Sequence, residues 1–181
     1  MKKSNVVWES ERLFFRLMEK DDFTIIAKML KDPSIMYAWQ RDFNDDDVNE
    51  WIDNRIRNYK TFGFDFYVAI DKISGNAVGQ IGLVDEFINN EHKIGVGYIL
   101  NKEYQNKGYA SEGARAMFDY AFKVLKVGEV VATIRPENIA SIKVAEGLGM
   151  KLIGNFIKVY NKLEMKHYIY SINVCQKGES K

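Results

Sequence analysis

The sequence predicts a mixed α/β domain: a central sheet, mostly antiparallel with one parallel, splayed pair, flanked by about four helices. Three observations carry this. First, residues 64–100 hold three strand-like runs, "FDFYVAID", "AVGQIGLVDEF" and "HKIGVGYIL", parted by "KISGN" and "INNE", whose Gly, Asn and Ser supply turn chemistry. Consecutive hairpins of this kind build an antiparallel sheet. Second, a helical stretch lies between "GVGYIL" and the short apolar run "EVVATI", and a strand, crossover helix and strand in that order pair in parallel. Third, the full order of elements, βααβββαβαββ, contains no internal repeat.

The elements are justified in turn. "RLFFRL" alternates as a strand, and "DDFTIIAKML" places Phe23, Ile26, Ala27 and Leu30 on one helix face. "NDDDVNEWIDNRIRNY" begins at Asn44 as N-cap, sets three Asp in the first turn where the dipole favours them, and repeats apolar residues at Val48, Trp51, Ile52 and Ile56. The helix starting near Ala110 buries Ala114, Met117, Phe118, Ala121, Phe122 and Leu125 and turns Glu112, Arg115, Asp119 and Lys123 to water. "NIASIKVAEGLG" is a helix capped by Asn138 and stopped at Gly149, and "KLIGNFIKVY" and "MKHYIYSINV" follow as strands.

Composition bounds the function. The 181 residues are 46% apolar, with charges interleaved and a formal net charge of +1, which advertises neither nucleic acid nor an anionic membrane as partner. We expect one domain over residues 1–175 with a polar tail at 176–181. No segment approaches a membrane span, and the single cysteine, Cys175, fits a reducing cytoplasm. Two distant histidines and one cysteine make no metal site or triad. "GVG" lacks a third glycine and runs on as a strand, so it is no dinucleotide fingerprint, and neither a P-loop nor Gly-x-Ser-x-Gly occurs.

The chemistry concentrates in "YQNKGYASEG". A loop from Gln105 to Tyr109 stands at the N-terminus of a buried helix, where unpaired N–H groups and the positive end of the dipole converge on an anion. Gly108 permits positive φ and close approach, and Lys107 adds a positive charge, so a phosphate or pyrophosphate is the natural guest. Upstream, Gly95 and Gly97 inside a strand mark a bulge or a close backbone approach. If that strand splays from "EVVATI", its freed backbone groups suit an extended arm bearing amides, which is the character of pantetheine.

"GYILNKEYQNKGYASEG" resembles the acyl-CoA signature of the GNAT superfamily of N-acetyltransferases, Gln/Arg-x-x-Gly-x-Gly/Ala, through Gln105, Gly108 and Ala110. "SERLFFRLMEKDD", "VGQIGLVD" and "NIASIKVAEGLGM" resemble, in order, segments of its Rim-type branch, the ribosomal-protein N-terminal acetyltransferases. The resemblance implies direct transfer of acetyl from acetyl-CoA to a primary amine in a ternary complex, without a metal. By the same resemblance the pyrophosphate rests on Gln105, Asn106, Lys107, Gly108, Tyr109, Ala110 and Ser111, and the pantetheine arm runs along Tyr98, Ile99 and Leu100. Asn138 hydrogen-bonds cofactor or substrate near the thioester, and Ser141 faces the sulfur as it departs.

Two family positions differ. Gly95 stands where many relatives carry a basic Glu, and Ala145 where many carry a Tyr four residues after the Ser. The expected catalytic set is therefore Ser141, Asn138 and Glu91, with Asp85, Glu86 and His92 around the same hairpin as alternatives to Glu91. A lysine-like amine costs about 4 to 5 kcal/mol to present neutral at pH 7, an α-amine only about 1 kcal/mol. The missing Glu thus favours a peptide N-terminus or small molecule with a modest-pKa amine. A polyamine or aminoglycoside acceptor is the alternative, suggested by Asp42, Asp45, Asp46 and Asp47, and a non-catalytic acyl-CoA-binding module is a second. A homodimer is also admitted.

Overall fold

Residues 5–160 and 163–174 are described by a computed structural model. Its sheet centres on a hairpin of β4 (Ala77–Ile88) and β5 (Glu91–Leu100). Asn89 and Asn90 both take positive φ, 50° and 69°, in a two-residue turn whose twist matches that of the strands. Ile88 therefore faces Glu91, and the antiparallel ladder continues to Gly79 opposite Leu100. Around it the order is β1-β2-β3-β4-β5-β6-β8-β7. Every pairing is antiparallel except β5 with β6 (Glu129–Ile134), which pair in parallel at Gly95 and Val131 alone. Beyond that point the two strands part.

The expected fold class is present, with two additions. β1 (Val6–Glu9) pairs with β2 (Leu13–Arg16) through an irregular register, and α2 (Pro33–Met36) is a single turn started by Asp32 as N-cap and Pro33 in the first position. Both are four residues long, too short for a period to show in sequence. The remaining elements match their runs: α1 (Phe23–Leu30), α3 (Asp45–Thr61), β3 (Phe66–Asp71), α4 (Tyr109–Lys123), α5 (Ile139–Gly147), β7 (Lys151–Tyr160) and β8 (Leu163–Asn173). Asn44 caps α3 in a reciprocal box with Asp47. After α5, Gly149 at φ 84° lets Met150 and Gly149 donate back to Ala145 and Glu146, closing the helix in a Schellman turn. Cys175 and the tail at 176–181 lie outside the described residues.

β3 is buried along its whole length because both faces of the sheet are covered. Its Tyr67 and Ala69 join α4 residues such as Ala114, Met117 and Ala121 in one core, while Val68 and Ile70 join Ile26, Leu30, Val48 and Ile52 of α1 and α3 in the other. The period-2 alternation of a strand thus supplies both cores from one segment. No helix among the described residues is long and apolar enough to cross a membrane.

Candidate active site

A cleft of about 780 Å3 opens where β5 and β6 part. The loop before α4 walls one end, α3 the other, and the first turn of α5 one side. Glycine is required at position 108, whose φ is 80°, and Asn106 before it also takes positive φ, 58°. The first helical bond of α4 runs from Glu112 N to Gly108 O, so the N–H groups of Tyr109, Ala110 and Ser111 precede the ladder. No side chain among the described residues caps them.

The loop is braced from behind. Glu112 accepts from Ser10 Oγ at 2.6 Å, Arg12 N at 2.7 Å and Arg12 Nε at 2.5 Å, and Arg12 Nη1 in turn donates to Lys107 O at 3.1 Å. Burial works against ionisation of Glu112, yet these hydrogen bonds outweigh it and hold its pKa below the usual carboxylate range. Arg12 also stacks on the Tyr109 ring at 4.2 Å, and the Gln105 side chain donates to Leu100 O at 3.2 Å. Gln105, Asn106, Gly108, Tyr109, Ala110 and Ser111 line the cleft. Lys107 does not. A bare glycine in the left-handed region beside free helix N–H groups fits a diphosphate.

Tyr98, Ile99 and Leu100 line the cleft along the part of β5 that β6 has left. Gly97, in the same run, carries the close approach expected of it: a Cβ there would lie 2.4 Å from the Phe66 ring. At the start of α5, Asn138 Oδ1 accepts from Ser141 N at 3.1 Å and from the Tyr37 hydroxyl at 2.9 Å, a contact spanning 101 residues. Tyr98 donates its hydroxyl to Ser141 O at 3.2 Å. Burial pushes the Tyr98 pKa up to about 12, so it keeps its proton at physiological pH. Asn138 and Ser141 both line the cleft, and the Ser141 hydroxyl makes no hydrogen bond among the described residues.

The hairpin carboxylates separate. Glu91 follows the Asn-Asn turn at the far tip of the sheet, exposed, 4.0 Å from Lys93, and does not line the cleft. The turn carries it away from the fork at Gly95. His92 is likewise outside, paired with Asp85, which does line the cleft. Glu86 is brought in: its side chain is 14% exposed, it lines the cleft, and it accepts from Thr133 Oγ1 at 3.1 Å and Lys158 Nζ at 3.0 Å. His167, on β8, faces the same space. Its Nδ1 lies 3.0 Å from Met165 O, which can only accept, so Nδ1 carries the proton and Nε2 a lone pair. Burial lowers its pKa, keeping the ring neutral.

At the α3 end, Trp51, Arg55 and Phe66 form an aromatic wall with a cation in it. The Arg55 guanidinium lies over Trp51 at 4.0 Å and 5.6 Å from the Phe66 ring centre. Its Nε is 3.2 Å from Asp65 Oδ1. Asp65 is itself held by Asn58 Nδ2 at 2.5 Å and Phe66 N at 2.6 Å. Burial pushes both charges of this pair toward neutrality, Arg55 down and Asp65 up, and each partner opposes the shift of the other. By contrast, Asp42, Asp45, Asp46 and Asp47 do not line the cleft. Asp45 pairs with Lys31, and Asp47 with Arg41 and the Asn44 N–H.

Arg55, Asp65, Thr133, Lys158 and His167 had no motif to mark them in sequence. The hint available for Arg55 was its register on the Val48, Trp51, Ile52 face of α3, four residues after Trp51, where a cation sits against an apolar stripe.

Residues 12–151 match the family model described as an acetyltransferase (GNAT) domain. An uncharacterized Bacillus subtilis protein, YkkB, is 34% identical over 163 residues, covering 88% of this chain and 95% of that one. YnaD of the same organism, an uncharacterized N-acetyltransferase, is 32% identical over 155 residues, covering 84% and 87%. The crystal structure of a GNAT-family acetyltransferase from Bacillus anthracis superposes with a TM-score of 0.78 at 30% identity, over 92% of this chain and 97% of that one. Fold, loop and sequence agree: the chain belongs to the GNAT acetyltransferase family and is an acetyl-CoA-dependent N-acetyltransferase.

Proposed function

We propose that this enzyme, of the Rim-type branch, acetylates a primary amine of modest pKa, a peptide N-terminus or the α-amine of a small molecule, by direct attack in a ternary complex. The observation that carries this reading is the continuity of the cleft. It runs from the free N–H groups of α4, past the fork of β5 and β6, to the aromatic wall of α3, so both substrates can lie in it at once. The diphosphate would rest on Gln105, Asn106 and Gly108 to Ser111, and the pantetheine arm on Tyr98, Ile99 and Leu100. Acetyl-CoA supplies the acetyl group as a thioester.

Glu86 takes the proton from the acceptor ammonium, since among the hairpin groups it is the carboxylate held at the fork with both oxygens engaged by neighbouring donors. Lys158 Nζ, 3.0 Å away, holds that carboxylate in place. The Ser141 hydroxyl, without a partner among the described residues, donates to the sulfur as the carbon–sulfur bond breaks. Glu86 then returns its proton to the thiolate and the acylated nitrogen releases its second proton to solvent, so that ammonium and thioester give amide, thiol and one free proton. Asn138 and Tyr98 position the first turn of α5 through Ser141 N and O. A polyamine acceptor is disfavoured because the Asp42 to Asp47 cluster lies outside the cleft and serves capping and surface pairs. The test is release of free thiol from acetyl-CoA over a panel of N-terminal peptides, amino acids, polyamines and aminoglycosides. Turnover confined to the first two classes is expected, and turnover confined to polyamines contradicts the assignment.

A further inference from the structure

Arg55 is the least satisfied cation of the cleft. Only 14% of its side chain is exposed, yet none of its five N–H donors makes a hydrogen bond among the described residues. The contact with Asp65 is a charge pairing through Nε and not a hydrogen bond, because Nε is sealed from solvent and unsatisfied while the Asp65 oxygens accept from Asn58 and Phe66. A buried guanidinium left in this state is costly, and the cost is recovered when a planar anion meets its fork. The guanidinium lies over the Trp51 ring at 4.0 Å and 5.6 Å from the Phe66 ring centre, so the aromatic wall holds it at the cleft.

The charges around it point the same way. The cleft is lined by the cations Arg55, Arg135, Lys143 and Lys158 against the carboxylates Asp65, Asp85 and Glu86. Lys158 is engaged by Glu86, and Arg135 donates to Ala38 O. Among the described residues, Arg55 alone of these cleft cations lies over an aromatic ring and has no hydrogen-bond acceptor. A second ammonium on the acceptor would meet this excess of positive charge; a carboxylate would meet its complement.

We propose that Arg55 binds a carboxylate of the acceptor, so that the amine acetylated by this enzyme belongs to an amino acid or to a peptide with an acidic side chain near its N-terminus. This rests on the acetyltransferase reading above. Phe66 separates Arg55 from Gly97, two residues along β5 from the fork at Gly95, which places the anion site several bonds from the reacting amine.

Two matched acceptor pairs test it with the whole chain: the α-amide of glutamate against the α-amide of glutamine, and the peptide amides Ala-Glu-Phe against Ala-Gln-Phe. The first pair carries the carboxylate on a small amine, the second on a peptide side chain. In at least one pair the acid should show a kcat/KM higher by about tenfold or more, the size of one charge-assisted hydrogen bond. Calorimetric binding of the acid and amide to the enzyme loaded with CoA should show the same order. Arg55→Met combined with Asp65→Asn removes both buried charges together, leaving neither unpaired, and should bring the ratio to about one. Arg55→Lys, which keeps the charge and loses the fork, should lower it partway. An enzyme that binds acetyl-CoA but treats acid and amide alike, or acetylates neither, overturns the inference, as does a preference that survives the double variant. Failure to bind acetyl-CoA at all would instead remove the reading beneath it.

Discussion

The Glu86 side chain crosses over Gly95: a Cβ built on that glycine would lie 2.8 Å from Glu86 Cγ. β5 lies between β4 and β6, so a side chain from β4 reaches Thr133 on β6 only because position 95 is bare. The carboxylate of Glu86 therefore stands over the one residue at which the parallel pair still touches. Gly95→Ala should push Glu86 off Thr133, and Glu86→Gln should remove its basicity. Both should lower kcat, Glu86→Gln by about a hundredfold or more, with acetyl-CoA affinity unchanged. Steady-state kinetics beside an acetyl-CoA titration checks this, and undiminished turnover in Glu86→Gln would send the search for the proton acceptor to His167.

Ser141→Ala should reduce kcat about tenfold to a hundredfold, the worth of one hydrogen bond to a developing anion, and leave the KM for acetyl-CoA nearly unmoved. The α5 cap should survive, because it uses Ser141 N and not its hydroxyl. Equal turnover by the variant removes Ser141 from the chemistry.

Much of this site is visible in sequence and much is not, for a physical reason. The diphosphate loop, the Asn-Asn turn, the α3 box and the α5 cap each depend on residues a few positions apart, so local chemistry announces them. The Glu86–Gly95 complement joins two strands diagonally, Tyr37 meets Asn138 across 101 residues, and Arg55 meets Asp65 only once α3 folds back on β3. Glu91 looked as good as Glu86 because both flank one turn; the pairing register, with Ile88 opposite Glu91, sends one to the tip and leaves the other at the fork. Contacts of that kind exist only after the sheet is assembled.

Glu112 links stability to pH and the cofactor loop to β2. Its folded pKa lies below the unfolded value near 4.5, so its contribution is complete above the unfolded value and is lost as pH falls through the folded one. Glu112→Gln should destabilise the protein by about 1 to 3 kcal/mol at pH 7 and flatten that acid limb in urea titrations run at several pH values. Because Arg12 holds Lys107 O only while Glu112 holds Arg12, acetyl-CoA affinity should also weaken. An unaltered acid limb would show that the brace contributes nothing.

The most direct measurement is an isothermal titration of acetyl-CoA into the wild-type chain and into Gly108→Val. A β-branched residue at φ 80° costs about 1 to 2 kcal/mol in backbone strain alone and places methyl groups where the diphosphate would lie. Saturable binding by the wild type, weakened at least about tenfold in the variant while the variant stays folded, is the expected result. No binding by the wild type, or equal affinity in the two, would contradict the placement of the cofactor on this loop.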